Sequence, residues 1–375
     1  MKKNILFVIP GYSHGGTNKC LEYLLDLIDK EKYNISIFSL YEDGDSYYKK
    51  LFQPYLIRKS FLYTLAHDHY ITRKIWGVWI KLKKSANFSW LYKLESMKIE
   101  KYNHLDTVIA YQEGVSTEFV SYMKQVVKVA WVHCDLQRFR KGVVNNTEYN
   151  YYQKFDHIIC VSRTSATSLS SFYPLLSNKI STIYNPLNEE KIRVLSKEKH
   201  QEQFPNIFKI ISIGRLVPIK QYDKIPFIVK RLIAKGCQHK FVWYIIGEGS
   251  ESEMLESTIK DLGLNEYIKL LGAKENPYPY IKDADLLVVT SKSESYPTVI
   301  NEAKILQTPV ISTKYPSVSE ILSEKEGYIC ELENMPSILC RLINDEESSY
   351  TKIKNNLKDF ELKNDKLVNK IYKVL

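Results

Sequence analysis

The sequence predicts two doubly wound α/β halves in tandem, each built on a mostly parallel sheet. Three observations carry this. Short apolar runs recur, each followed by a polar turn and then an amphipathic stretch, as expected of parallel strands joined by helices. The pattern stops at a polar, charged stretch over 188–207 and then restarts. The length of 375 residues suits two or three domains.

In the first half, Asn4–Ile9 reads as the opening strand. It runs into PGYSHGGTNKC and then the amphipathic CLEYLLDLID, and Asn34–Leu40 is the second strand. Gly15 and Gly16 would let backbone approach a ligand at the helix start. They lack the spacing of the three-glycine dinucleotide fingerprint, and a plain tight turn is the alternative reading. Thr107–Tyr111, Lys128–Val132, His157–Val161 and Ile180–Tyr184 are further strands. Two of them end in polar residues, YQEG at 111–114 and WVHCD at 131–135. His133 falls just past its strand, where open α/β sheets bind ligands. It could donate to a sugar or act as an acid or base, although a lone histidine is more often structural.

The second half restarts with strand Phe208–Ile213 and the turn GRLVPIK, with a helix near 221–235. Strand Phe241–Ile246 follows, then the turn GEGSE and a helix reaching Gly263. Next come a short strand Ile268–Leu271 and the loop GAKENPYPYIKDA. Thr308–Thr313 and Gly327–Cys330 are the last strands. The expected domains are 1–190 and 205–354, joined by a linker over 191–204. The charged tail is helical in pattern, and 355–375 is expected to cross back onto the first domain. Arg215 and Lys220 follow a strand at the ligand edge. A guanidinium fork and an ammonium point charge there suit a diphosphate; a solvated turn is the plain alternative.

Most chemistry is concentrated in Asp283–Pro309, DADLLVVTSKSESYPTVINEAKILQTP. Asp285–Thr290 is a buried strand and Ser291–Tyr296 a turn. Pro297 suits the first helical position, which leaves the N–H groups of Thr298 and Val299 without helical partners. Such a helix start attracts anions. Glu294 precedes the helix, and Glu302 borders the face expected to pack on the sheet. A carboxylate there needs a polar partner, which a basic neighbour or the vicinal hydroxyls of a sugar could supply. Phosphate at the helix start with polyol on both sides suggests a nucleotide-sugar. The alternative is a half-exposed helix glutamate and a turn glutamate.

Composition narrows the classes. Hydrophobic residues at 44% and charged residues at 26% are ordinary for a globular protein. No apolar run approaches the ~20 residues of a membrane span. The opening MKKNILFVIPGY is too short in its apolar part for a signal peptide and reads as a strand. The six cysteines show no metal spacing and read as reduced thiols of a cytoplasmic protein. A net charge of +10 implies an acidic partner. The motifs of nucleic-acid binders are missing, so no nucleic acid is expected. Residues 55–102 are rich in aromatics and cations, with ten Lys/Arg and three Asp/Glu between Arg58 and Lys101. That mixture suits the interface of an anionic membrane, with Trp76, Trp79, Lys81, Lys83 and Lys84 as contacts, or else a solvated helix pair.

Together, GG at 15–16, His133, GRLVPIK at 214–220, GEG at 247–249, NPYPYIKDAD at 276–285 and ESYPTVINEA at 294–303 resemble one family. The chain is similar to the retaining GT-B glycosyltransferases of the large family with two glutamates separated by seven residues, which includes sucrose synthase and many bacterial polysaccharide enzymes. The likeness is strong over 208–322 and loose over 40–105. It implies two Rossmann-like domains facing a central cleft, the first binding the acceptor and the second a UDP-sugar donor. It further implies Glu294, His133, Arg215 and Lys220 as catalytic residues. Arg215 and Lys220 would hold the diphosphate, aided by Gly16, with Gly15 beside it. Glu294, Ser295, Tyr296, Pro297 and Thr298 would meet the sugar or phosphate, and Glu302 the ribose. The loop from Gly272 to Asn276 would lie against the base. No metal or resident cofactor is implied, and in the front-face route that the resemblance implies the leaving phosphate takes the acceptor proton. Ser295 stands where many relatives have glycine, and GEG replaces a more usual turn with aspartate. The expectation is a peripheral enzyme at the inner face of the cell membrane that extends a lipid-linked or oligosaccharide acceptor. A GT-B epimerase, a phosphorylase or a non-catalytic sugar-nucleotide-binding protein are the alternatives.

Overall fold

The computed structural model describes residues 2–12, 15–42, 44–57, 89–136, 143, 145–200, 202, 204–362 and 364–375. The chain divides into two compact units, Met1–Pro186 with Asn364–Leu375, and Leu187–Lys363. Among the described residues, no helix is long and apolar enough to cross a membrane.

The first unit holds β1 (Lys3–Ile9), β2 (Tyr33–Ser39), β3 (Thr107–Ala110), β4 (Val127–Val132), β5 (His157–Cys160) and β6 (Ile180–Thr182), in the order β2-β1-β3-β4-β5-β6. Every ladder is parallel, with Ile5 of β1 opposite Ile35 on one side and Thr107 on the other. The strands read as continuous apolar runs because both faces are covered: Ile5, Leu6, Phe7 and Val8 are all buried. Helix Gly16–Leu27 buries Cys20, Leu21, Leu24 and Leu25. The strand order reverses between β1 and β3. Such a reversal opens a crevice at the C-terminal edge of a sheet. Gly15–Gly16, after β1, and Tyr111–Gly114, after β3, therefore lie at the same edge.

Helix Asn364–Tyr372 belongs to the same unit. Its Ile371 is buried, and Tyr372 stacks on Tyr33 at 5.5 Å between ring centroids. The Thr107 hydroxyl donates to the Leu375 carbonyl at 2.9 Å. Those contacts explain apolar residues in a tail otherwise dominated by charge.

The second unit holds β7 (Phe208–Ile213), β8 (Phe241–Ile246), β9 (Ile268–Leu270), β10 (Leu286–Val289), β11 (Val310–Thr313) and β12 (Gly327–Cys330), in the order β12-β11-β10-β7-β8-β9. All its ladders are parallel. Its core joins Ile210, Trp243 and Leu286 of the sheet to helices Ile225–Leu232 and Met335–Ile343. The reversal here lies between β7 and β10, so the turns after those two strands are neighbours although about eighty residues separate them in sequence.

Residues 191–204, read as a linker from their polar composition, fall within the second unit. Helix Glu189–Leu195 is capped by the Asn188 side chain, which accepts from the Lys191 N–H at 3.0 Å. Beyond it, Glu202 accepts from Tyr280 Oη at 2.5 Å and pairs with Lys274 at 2.9 Å, while His200 stacks on Tyr280 at 4.4 Å. The polar side chains face a polar neighbour instead of solvent alone. Composition cannot separate the two situations.

Candidate functional site

In the second unit, three turns at the C-terminal edge of the sheet are bonded into one frame. Gly214 N–H donates to the Ile246 carbonyl at 3.0 Å, Leu216 N–H to Glu248 O at 2.9 Å, and Gly247 N–H to Gly272 O at 2.9 Å. Gly247 has φ +144°, and a Cβ there would stand 1.9 Å from the Gly214 carbonyl oxygen. A Cβ on Gly214 would come within 2.9 Å of Tyr222 Oη and 3.6 Å of Lys220 Nζ. Both glycines are therefore demanded by close approach. The GR and GEG motifs are two sides of one contact.

Lys220 ends the short turn Pro218–Lys220 after β7. Its Nζ meets Glu294 Oε1 at 2.5 Å, with side-chain exposures of 21% and 15% respectively. Ser291 Oγ donates to the same carboxylate oxygen at 2.6 Å. The backbone is tied as well: Thr290 Oγ1 donates to Lys220 O at 2.7 Å, and Lys292 N–H to Ile219 O at 2.8 Å. From the turn after β11, Ser317 Oγ donates to the Glu294 carbonyl at 2.7 Å. Tyr222 is buried beneath the pair. Burial, reinforced by the Glu294 charge, pushes its phenol upward and keeps it protonated.

The helix after β10 spans Thr298–Ile305, with Pro297 as its N-cap in an extended conformation. Pro297 thus precedes the helix by one residue instead of opening it. Its ψ of 106° is extended, outside the helical region. The helix follows β10, and the N–H groups of Thr298 and Val299 have no partner within it, as at any helix start. Ser295, Tyr296 and Thr298 are half-buried around it, and Asn301 Nδ2 donates to Tyr296 Oη at 3.1 Å. Glu302 is buried at 2% exposure in the second turn. Lys304, also buried, faces elsewhere: its ammonium donates to the Ile321 carbonyl at 2.7 Å, pairs with Glu326 at 3.2 Å and lies over the Phe360 ring.

Arg215 is exposed, and no described residue bonds its guanidinium. Gly272 adopts φ +68° beside the Glu248 carboxylate, which accepts from Ala273 N–H at 3.3 Å. Asn276 is differently employed. Its amide donates to Leu195 O at 3.0 Å and Glu198 Oε2 at 2.7 Å, while its oxygen accepts from Tyr278 N–H at 3.1 Å. It ties the loop to the preceding segment.

In the first unit, Gly15 and Gly16 have no left-handed backbone, and a Cβ on either would meet none of the described residues within 4 Å. Packing does not require glycine there. His133 follows β4, and its backbone N–H donates to Glu113 Oε2 at 2.8 Å. Its ring packs edge-on to Tyr111 at 5.0 Å between centroids. The ring keeps some exposure, but Nε2 itself is closed to solvent and lacks a partner among the described residues. Burial pushes the imidazole down to about 3, so it is neutral at ordinary pH. Such a ring donates a hydrogen bond but does not supply a positive charge. Glu113 is pushed upward by burial, against the His133 N–H and the Cys134 thiol that hold it down.

Sequence reasoning missed Glu113, Ser291, Tyr222 and Ser317. Glu113 stood in YQEG at a strand end and could have been found there; Ser317 comes from another loop and left no signal. Trp76, Trp79, Lys81, Lys83 and Lys84 lie outside the described residues. Among the described residues, no group of three or more His, Cys, Asp or Glu is placed to hold a metal ion.

Two outcomes follow from these environments. Replacing Lys220 by Met leaves the Glu294 carboxylate half-buried without its cation, which costs a few kcal/mol of second-unit stability, ~2–4. The double variant Lys220→Met/Glu294→Gln recovers most of that loss. Urea unfolding checks both, and equal instability of single and double variants would contradict the pairing. His133 titrates near 6.5 in the unfolded chain but near 3 when folded. The unfolded state therefore binds the proton first, and stability falls as pH drops from about 6.5 toward 3. In His133→Gln that acid loss is shallower, as unfolding midpoints at pH about 7 and about 4.5 will record.

Comparison with known proteins follows the same division. The family model described as glycosyl transferases group 1 matches residues 196–359, and that described as glycosyltransferase family 4 matches 14–191. An uncharacterized glycosyltransferase of Methanocaldococcus jannaschii is 27% identical over 255 residues, covering 62% of each chain. The N-acetylgalactosamine-N,N'-diacetylbacillosaminyl-diphospho-undecaprenol 4-alpha-N-acetylgalactosaminyltransferase of Campylobacter jejuni is 26% identical over 216 residues, covering 56% of this chain and 53% of that protein. The chain thus spans under two thirds of the first of these relatives and about half of the second. Among solved structures, Anabaena HepE in complex with UDP and glucose superposes with a TM-score of 0.74 at 16% identity, over 99% of this chain and 98% of that one. The shared fold is that of the GT-B architecture, and with the two models together spanning 14–191 and 196–359, the chain belongs to glycosyltransferase family 4.

Proposed function

We propose that the protein transfers a sugar from a UDP-sugar to a growing, lipid-linked glycan, with retention of configuration and without a metal ion. The reaction would serve bacterial cell-surface polysaccharide synthesis, in the cytoplasm at the inner face of the membrane. The observation that carries the donor half is the Lys220–Glu294 pair at the β7/β10 reversal, beside the Thr298–Ile305 helix start and the exposed Arg215.

In this reading Arg215 and Lys220 take the diphosphate and stabilise charge on the leaving phosphate as the bond to the sugar breaks. The open N–H groups at Thr298 add the positive end of the helix dipole. Glu302 accepts from the ribose hydroxyls, and Glu294 from the transferred sugar. When donor binds, Lys220 exchanges part of its pairing with Glu294 for phosphate, which leaves Glu294 oxygens for sugar hydroxyls. The base lies against the backbone of Gly272–Lys274. Gly16 offers its N–H to phosphate, and neutral His133 a hydrogen bond to the sugar. The leaving phosphate takes the acceptor proton.

The acceptor half rests on the basic, aromatic composition of residues 55–102, on the net charge of +10 and on the diphospho-undecaprenol named for the Campylobacter relative. UDP in the HepE complex favours a uridine donor.

A panel of nucleotide-sugars, titrated with chelator present, tests the reading. One UDP-sugar is expected to bind selectively, and turnover on lipid-linked acceptor to fall ~10²–10³-fold in Lys220→Ala. Glu302→Ala is expected to weaken binding ~10-fold or more, as loss of charged hydrogen bonds would. Absence of binding by every nucleotide-sugar, in folded protein, would overturn the donor reading. Turnover with donor alone or with inorganic phosphate would replace the transferase by an epimerase or a phosphorylase.

A further inference from the structure

At the opposite edge of the second sheet from these turns, two cysteines meet. Cys237 ends the irregular helical turn Ile233–Cys237 and precedes β8. Cys340 lies on helix Met335–Ile343. They are 103 residues apart in sequence, yet their sulfurs are 2.9 Å apart. A disulfide bond is roughly 2.0 Å long, so closure asks for less than about 1 Å of movement. Gly236, at φ +84°, breaks the helix immediately before Cys237. Asn344 Nδ2 reaches both sulfurs, at 3.6 Å from Cys340 and 4.0 Å from Cys237, and donates to the Cys340 carbonyl at 3.0 Å. Lys240 Nζ in turn holds the Asn344 oxygen at 2.8 Å.

The two thiols differ in access. Cys340 is partly exposed, whereas Cys237 is buried. Cys20, Cys160 and Cys330 are buried as well, and the Cys134 thiol is engaged by Glu113. Only the Cys237–Cys340 pair, among the six cysteines, brings two sulfurs into contact.

We infer that Cys237 and Cys340 form an oxidative modification site, a dithiol that closes to an intramolecular disulfide under hydrogen peroxide. The partly exposed Cys340 thiol gives up its proton and its sulfur attacks the peroxide, whose O–O bond breaks. This gives a sulfenic acid at Cys340 and a hydroxide, which takes up the thiol's proton as one water. The Cys237 sulfur then displaces the sulfenic hydroxyl, which leaves with the Cys237 proton as a second water. Two thiols lose two electrons and two protons, and the peroxide gains them. The link joins helix Ile225–Leu232 and its terminal turn to helix Met335–Ile343, across the core of the second unit. It does not depend on the identity of the donor.

Intact-mass measurement of the full chain, before and after stoichiometric peroxide, tests this. The expected result is loss of two hydrogens, restored by dithiothreitol, with non-reducing digestion joining the Cys237 and Cys340 peptides and leaving the other cysteines alkylatable. Cys340→Ser and Cys237→Ser each abolish the link, and Cys237→Ser instead accumulates sulfenic acid at Cys340, trapped by dimedone. Over-oxidation of Cys340 in the wild type without any link, or a link through a different cysteine, would overturn the inference.

Discussion

The half-buried ion pair between Lys220 and Glu294 is the constraint on which the second unit's site depends. Each partner follows a different strand, and only the strand order makes them neighbours. Because β7 lies between β10 and β8, the turn after β7 must meet the turn after β10 on one side and that after β8 on the other. The cation and the carboxylate stabilise each other in partial burial, where either alone would be costly. Ser291 and Ser317 then fix the acid from its carboxylate and its carbonyl.

The glycines serve the same frame from the backbone side. Gly214, Gly247 and Gly249 let the first and second turns approach until a Cβ on Gly247 or Gly249 would overlap a carbonyl of the other turn. Lys220 reaches Glu294 over the space left by Gly214. Substitution in the GEG turn would therefore act on the ion pair through geometry, without touching either charge. The first unit is built differently. Gly15 and Gly16 are not required by packing against the described residues, while His133 is held through its backbone by Glu113 and kept neutral by burial.

Much of this was legible in the sequence because parallel strands are buried on both faces and so read as apolar runs. Each of the twelve strands among the described residues overlaps a run such as Phe241–Ile246 or Asp285–Thr290. Arg215, Lys220, Glu294 and Glu302 were marked by being charged residues at strand ends and on a helix bordering the sheet. What sequence could not give were pairings made by topology. Ser317 supports Glu294 from a third loop, Tyr222 lies under the pair, and Asn276 is spent on Leu195 and Glu198. The polar run 191–204 looked like solvent-facing chain because hydrogen bonds to Tyr280 and Lys274 leave no compositional trace.

The most direct test of the account is hydrogen–deuterium exchange of the full chain with and without UDP. It predicts slowed exchange in the peptides covering 214–220, 247–249, 272–274 and 294–300, where the turns after β7, β8 and β9 and the helix start meet at one sheet edge. Protection confined to other elements of the second unit, with UDP shown to be bound, would contradict the claim that the β7/β10 reversal builds the donor site.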